Sequence, residues 1–212
     1  MTKTYSFDDL MALEQRYRAA MINSLGGFKS VVLVGTQNHA NQQNLAIFNS
    51  FFHIGANPPL CGLIIRPDSV ERHTYENMLS TGFYTVNHIR EEFYQQAHQT
   101  SARYPRNISE FEATGLNAIY KNDFFAPYVQ ESLVQIGLSL QEKIELKING
   151  TILVIGRIEH IYFPSNCLQN DGFLDLEKAG TITCSGLDSY HTTLKIARLS
   201  YAKPDKMPSI IL

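Results

Sequence analysis

The sequence predicts a mainly β protein, an antiparallel barrel or sandwich with a few helices at its flanks. Short runs rich in β-branched and aromatic residues recur along most of the chain, punctuated by glycine, proline and asparagine. Two long runs meet at Asn149-Gly150, a pair that tolerates positive φ and marks a hairpin. Helical spacing is confined to a few segments. Many short strands with few helices do not make a parallel α/β sheet.

The elements follow in order. Residues 7–25 read as one helix, since Phe7, Leu10, Met11, Glu14, Tyr17, Ala20 and Met21 fall at three-four spacing with one polar exception. Ser6 is its expected N-cap, Asp8 and Asp9 lie in the first turn where the helix dipole favours acids, and Gly26-Gly27 stops it. "SVVLVGT", 30–36, reads as a buried strand, 37–43 as a polar turn and 44–52 as a second strand. Asn57-Pro58-Pro59 breaks the pattern before an apolar strand at 60–65. A short helix over 74–80 ends at Gly82, and a strand follows at 83–89. Residues 90–100 read as helical, and 109–116 as a short capped helix closing on Gly115. Long strands are expected at 133–148 and 151–163, and a last strand at 181–187. One domain over 1–212 accounts for the chain, with its core over about 28–200.

Composition excludes several functions. Apolar residues make up 44% and charged residues 18%, enough for a core and too apolar for wholesale disorder. A net charge of -2 leaves no global field for nucleic acid or an anionic membrane. Cys61, Cys167 and Cys184 form no C-x-x-C pair, so neither a disulfide framework nor a zinc knuckle is indicated. The seven histidines do not fall at metal-ligand spacing, and no dinucleotide fingerprint, P-loop or nucleophile elbow occurs. No metal and no acid–base or nucleophilic catalytic residue is therefore expected. The first residues lack a signal-peptide core and no apolar run is long enough to cross a bilayer, so the expected compartment is the cytosol.

The stretch "RPDSVERHTYENMLSTGFYTVNHI", from Arg66, sets an apolar strand against cations and hydroxyls at a helix start. Arg66, Ser69, Arg72, His73 and Thr74 are a candidate phosphate cradle. Free N–H groups at a helix N-terminus, forked arginine donors and short hydroxyls all suit phosphate oxygens. The same residues also fit a plain N-cap at Thr74 beside solvated surface charges.

The wider stretch 44–89 resembles the flavin reductase-like family of FMN-binding split barrels. The resemblance rests on an ordered series: Asn49-Ser50-Phe51, the Pro58-Pro59 turn, the apolar strand at 60–65, the Arg/Ser/Thr stretch at 66–74, and Thr81-Gly82 leading to Val86-Asn87. "SEFEATGL" at 109–116 and "GTILVIGRIEHIY" at 150–162 extend it, so it covers roughly 30–190.

That resemblance implies a Greek-key split β-barrel with flanking helices, the N-terminal one at about 7–25, paired as a homodimer with FMN near the interface. Asn49, Ser50 and Phe51 would line the flavin ring, with Asn44 in the ribityl or ring region. Arg66, Ser69, Arg72, His73 and Thr74 would hold the phosphate, and Tyr190 and His191 would approach from the C-terminal segment. The implied activity is hydride transfer from NADH or NADPH through FMN to flavin or another small acceptor. An electron-transfer or flavin-storage protein is the second reading, and a split barrel with a repurposed pocket the third. Where many family members carry Gly-Asp-His before the long strand, this chain has Ile148-Asn149-Gly150, so no motif selects the nicotinamide. The 98–105 stretch suggests added elements around the site, with Arg103 either a substrate contact or half of an ion pair.

Overall fold

The structure is a computed structural model that describes residues 1–67 and 71–211. Its centre is an antiparallel seven-stranded sheet. Two helices precede it, α1 (Phe7–Ala12) and α2 (Gln15–Leu25). The expected single helix is thus broken. Ser6 and Asp9 do form the capping box at its start, but Leu13 turns extended and Glu14 restarts the helix by accepting from the Tyr17 N–H at 2.9 Å. The break falls at the one polar position in the apolar stripe.

The strands β1 (Lys29–Ser30), β2 (Val32–Gln37), β3 (Gln43–Phe48), β4 (Phe52–Ala56) and β5 (Pro59–Ile65) come next. After α3 (His73–Thr81), β6 (Phe83–His88) enters the sheet, and α4 (Tyr94–Gln99) and α5 (Glu110–Thr114) cover it. The short β7 (Ala118–Ile119) and β8 (Tyr128–Val129) pair with each other. The long strands β9 (Gln135–Leu146) and β10 (Thr151–Tyr162) form a hairpin. Its connection spans residues 147–150 rather than two residues. Gly150 takes the positive φ, while the Asn149 side-chain Oδ1 accepts from the Thr151 N–H. The expected last strand shortens to β11 (Thr183–Ser185), and β12 (Ser189–His191), β13 (Arg198–Leu199) and β14 (Ile210–Ile211) follow it.

The main sheet runs β3-β2-β6-β9-β10-β5-β4, a Greek-key order. Its two edge strands, β3 and β4, are consecutive in the chain and joined only by residues 49–51. Three residues reach about 10 Å at full stretch. The sheet therefore rolls into a barrel whose edges meet at this link without pairing, which is the split.

Val32 and Val34 point into the barrel core with Leu63, Val86, Leu138 and Val154, capped by Tyr75 and Met78 of α3. Val31 and Leu33 point the other way, into a second core with Leu45, Phe93, Phe111 and Ile182. Burial on both faces explains the unbroken apolar run of β2, which no alternating pattern would give. Gly156 admits the Tyr84 ring, since a Cβ there would overlap the phenol. Among the described residues no helix is long and apolar enough to cross a membrane, and no group of side chains could hold a metal ion.

Candidate functional site

A cavity of about 940 Å³ opens across the split. One side is β3 and the link after it, and the other is the end of β5 and the start of α3. The far wall comes from α4, the turn after it and the β11–β12 corner.

The link builds its shape from side chains. The register of β4 on β5 places residue 50 opposite residue 64. The Ser50 hydroxyl takes over there as a surrogate ladder partner, donating to the Ile64 carbonyl at 3.0 Å and accepting from the Ile64 N–H at 3.1 Å. Asn49 donates to the Gly186 carbonyl at 2.9 Å and so ties the link to the β11–β12 corner. The expected strand over 44–52 is interrupted at these residues because their side chains hold the backbone out of the ladder.

The start of α3 concentrates donors. Arg72 is its N-cap residue, and its backbone N–H donates to Glu76. The Arg72 Nε and the His73 Nε2 are buried and have no hydrogen-bond partner among the described residues, although the Glu71 carboxylate stands 3.6 Å from the imidazole. Thr74 is not the cap but the second helical residue. Its buried hydroxyl accepts from the Asn44 amide at 2.8 Å, which leaves the hydroxyl hydrogen to donate elsewhere. Arg66 is exposed at the rim and makes no hydrogen bond or ion pair among the described residues. This end of the cavity has the chemistry of an anion site.

A buried carboxylate adjoins it. Glu110 lines the cavity and accepts from the Leu45 N–H at 2.9 Å. Burial raises its pKa, opposed by the Leu45 hydrogen bond and the nearby His73. On the far wall, His98 Nδ1 and the Tyr190 hydroxyl lie 2.7 Å apart, with the rings edge to face. Burial pushes the Tyr190 phenol up to about 12, so it stays protonated at neutral pH.

Of the candidates from sequence, Asn44, Asn49, Ser50, Arg66, Arg72, His73, Thr74 and Tyr190 line this one cavity. Ser69 lies outside the described residues. Phe51 is not in the lining and packs against the barrel core. His191 also lies off the cavity, bonded to Ser185 and Ser189 and stacked edge-on against Phe28. Strand alternation decides this, because neighbours on β12 point to opposite faces. His98, Glu110 and Asn23 of α2 join the lining without any local signal, since each arrives from a distant segment. Arg103 and Tyr104 also line it.

The family model for the flavin reductase like domain matches residues 26–177. The chain belongs to the flavin reductase-like family. A split-barrel protein from Shewanella frigidimarina NCIMB 400, assigned to the flavin reductases, is 52% identical, with a TM-score of 0.92 over 95% of this chain and 100% of that one. Nitrilotriacetate monooxygenase component B from Bacillus cereus shares the fold, with a TM-score of 0.82 at 20% identity over 94% and 99% of the two chains. Flavoredoxin of Desulfovibrio vulgaris (Miyazaki F) has a TM-score of 0.69 at 22% identity over 84% and 92%. The fold is therefore a split barrel, and flavin-related redox chemistry is the family's province.

Proposed function

We propose that the protein is an FMN-dependent oxidoreductase that takes hydride from a reduced nicotinamide and passes it to flavin or another small acceptor. The observation that carries this reading is the set of buried, unpartnered donors at the start of α3. Arg72 Nε, His73 Nε2 and the free hydrogen of Thr74 suit a phosphate monoester. FMN ends in such a group, and no dinucleotide fingerprint is present to hold the adenylate of FAD.

In this reading Asn49 and Ser50 would hold the ring end of the flavin, with Asn44 fixing Thr74 from behind at the phosphate end. The bound flavin supplies the hydride chemistry. The protein holds and orients it, and leaves one face toward the wall of His98 and Tyr190. The functional unit is a homodimer.

A second reading is an electron carrier without efficient nicotinamide turnover, as the flavoredoxin likeness suggests. Its specific support is the β9–β10 connection, where the exposed Ile148 stands in place of a glycine and no histidine is offered to a nicotinamide. Anaerobic mixing of the FMN-loaded protein with NADH and with NADPH tests the choice. Rapid bleaching of the flavin absorbance supports the oxidoreductase. Bleaching by dithionite alone supports the carrier. Failure to bind FMN at all would overturn both.

A further inference from the structure

We propose that residues 192–211 form a clasp that docks on the body of a second copy of this chain. The proposal rests on the homodimer reading above and adds the element that locks it.

The arm faces the wrong way for a monomer. Leu194, Ile196, Tyr201 and Met207 are 92%, 101%, 92% and 85% exposed, and three more large apolar side chains stand out on the β13–β14 hairpin. Two of its cations turn back to the body of its own chain. The Lys195 ammonium pairs with Asp175 at 2.7 Å, and Arg198 pairs with Asp171 while lying 4.0 Å over the Phe173 ring. The arm is thus pinned to its own chain by its charges, with its apolar side turned out.

The hairpin adds a second argument. β13 and β14 are two residues each and pair with each other alone. A bare two-stranded hairpin is marginal in water and needs a surface to pack on. Its own chain meets it through Arg198 on Phe173 and Asp171, which leaves Leu199 and Ile210 57% and 68% exposed.

Charge and area select the occupant. With Lys195 and Arg198 neutralised by Asp175 and Asp171 of their own chain, Lys203 and Lys206 against Asp205 leave the arm +1, so the rest of this chain, whose net charge is -2, carries -3. The body of a second copy is an electrostatic match. Seven largely exposed apolar side chains supply a substantial part of the roughly 800 Å² that a stable interface takes from each partner. The helices α1 and α2, which bury no side chain in their own chain, add a further apolar face. Both ends of the chain also leave from one three-stranded sheet, β1-β11-β12. In a two-fold pair each arm lies on the other body, so the clasp is made twice.

The test is light scattering on the full-length protein and on the full-length double variant Leu194→Asp, Ile196→Asp, with circular dichroism to confirm folding. The expected result is a wild-type dimer and a folded variant whose dimer dissociates at least 10-fold more readily. A variant that dimerises as tightly as wild type overturns the clasp and leaves the dimer reading intact. A monomeric wild type overturns both. Should that monomer sediment with phosphatidylserine vesicles in an Ile196-dependent way, the arm is a membrane contact instead, and the proposal falls.

Discussion

The Asn44 side-chain amide donates to the Thr74 hydroxyl at 2.8 Å, joining β3 to the first turn of α3 across 30 residues of sequence. The same amide reaches toward Thr36 at 3.4 Å, and Asn77 donates to Thr36 at 3.1 Å. A buried polar network thus fixes the Thr74 hydroxyl beside Arg72 and His73 at the start of α3 and leaves its hydrogen to donate elsewhere.

Arg72→Ala and Thr74→Ala are expected to weaken FMN about 10- to 100-fold, since a charge-assisted hydrogen bond contributes roughly 1.5–3 kcal/mol. Riboflavin, with the same ring and no phosphate, is expected to bind almost unchanged. Fluorescence quenching with both ligands checks this. Equal losses for the two ligands would place these side chains at the ring or in the fold rather than at the phosphate.

Ser50→Ala removes both surrogate ladder bonds to Ile64. Two hydrogen bonds at about 1 kcal/mol each, plus backbone groups left unpaired, give an expected loss of roughly 2–4 kcal/mol. Urea unfolding of the flavin-free protein measures it. An unchanged midpoint would mean that the link is held by other contacts.

Gly156→Ala drives a methyl group into the Tyr84 phenol within the barrel core. Overpacking of this kind costs about 1–3 kcal/mol. The double variant Gly156→Ala, Tyr84→Phe relieves part of the overlap and is expected to recover some of the loss in thermal melting. Recovery failing altogether would place the strain in the β10 backbone.

Stability is expected to fall as the solution is acidified from pH 6.5 to 4. Burial lowers the His88 pKa to about 4, against 6.5 for the free side chain. In that window the unfolded chain binds the proton and the folded one does not, so the stability present above pH 6.5 is lost toward pH 4. The effect is on the order of 3 kcal/mol. His88→Gln, which keeps a partner for Thr181, is expected to flatten the slope of urea midpoint against pH over this range. A slope unchanged by the substitution would assign it to the carboxylates instead.

Much of the fold was legible because its signals are local. The αL glycines Gly82 and Gly115 end α3 and α5 where the sequence placed helix stops. The N-cap at Ser6 was likewise readable locally, although the return bond from Asp9 that completes a capping box was not. That Arg66, Arg72, His73 and Thr74 gather at one place was legible for the same reason, being one stretch of chain. The far wall was not. His98 and Tyr190 meet across 92 residues, and no periodicity in either segment announces the other. The break at Glu14 and the interruption at 49–51 were missed because a side chain there replaces a backbone partner, and spacing patterns do not register such a substitution.

The split has a consequence for exchange of whatever the cavity holds. The link at 49–51 joins the two sheet edges, and its Asn49 and Ser50 also line the cavity. A breathing motion that parts β3 from β5 therefore opens the door to the ligand and strains the seam in one movement. A ligand held in the cavity would bridge the gap that no strand pairing closes, and by mass action it would lower the population of the open seam. Loss of that ligand and the opening of the barrel would then share a single gate.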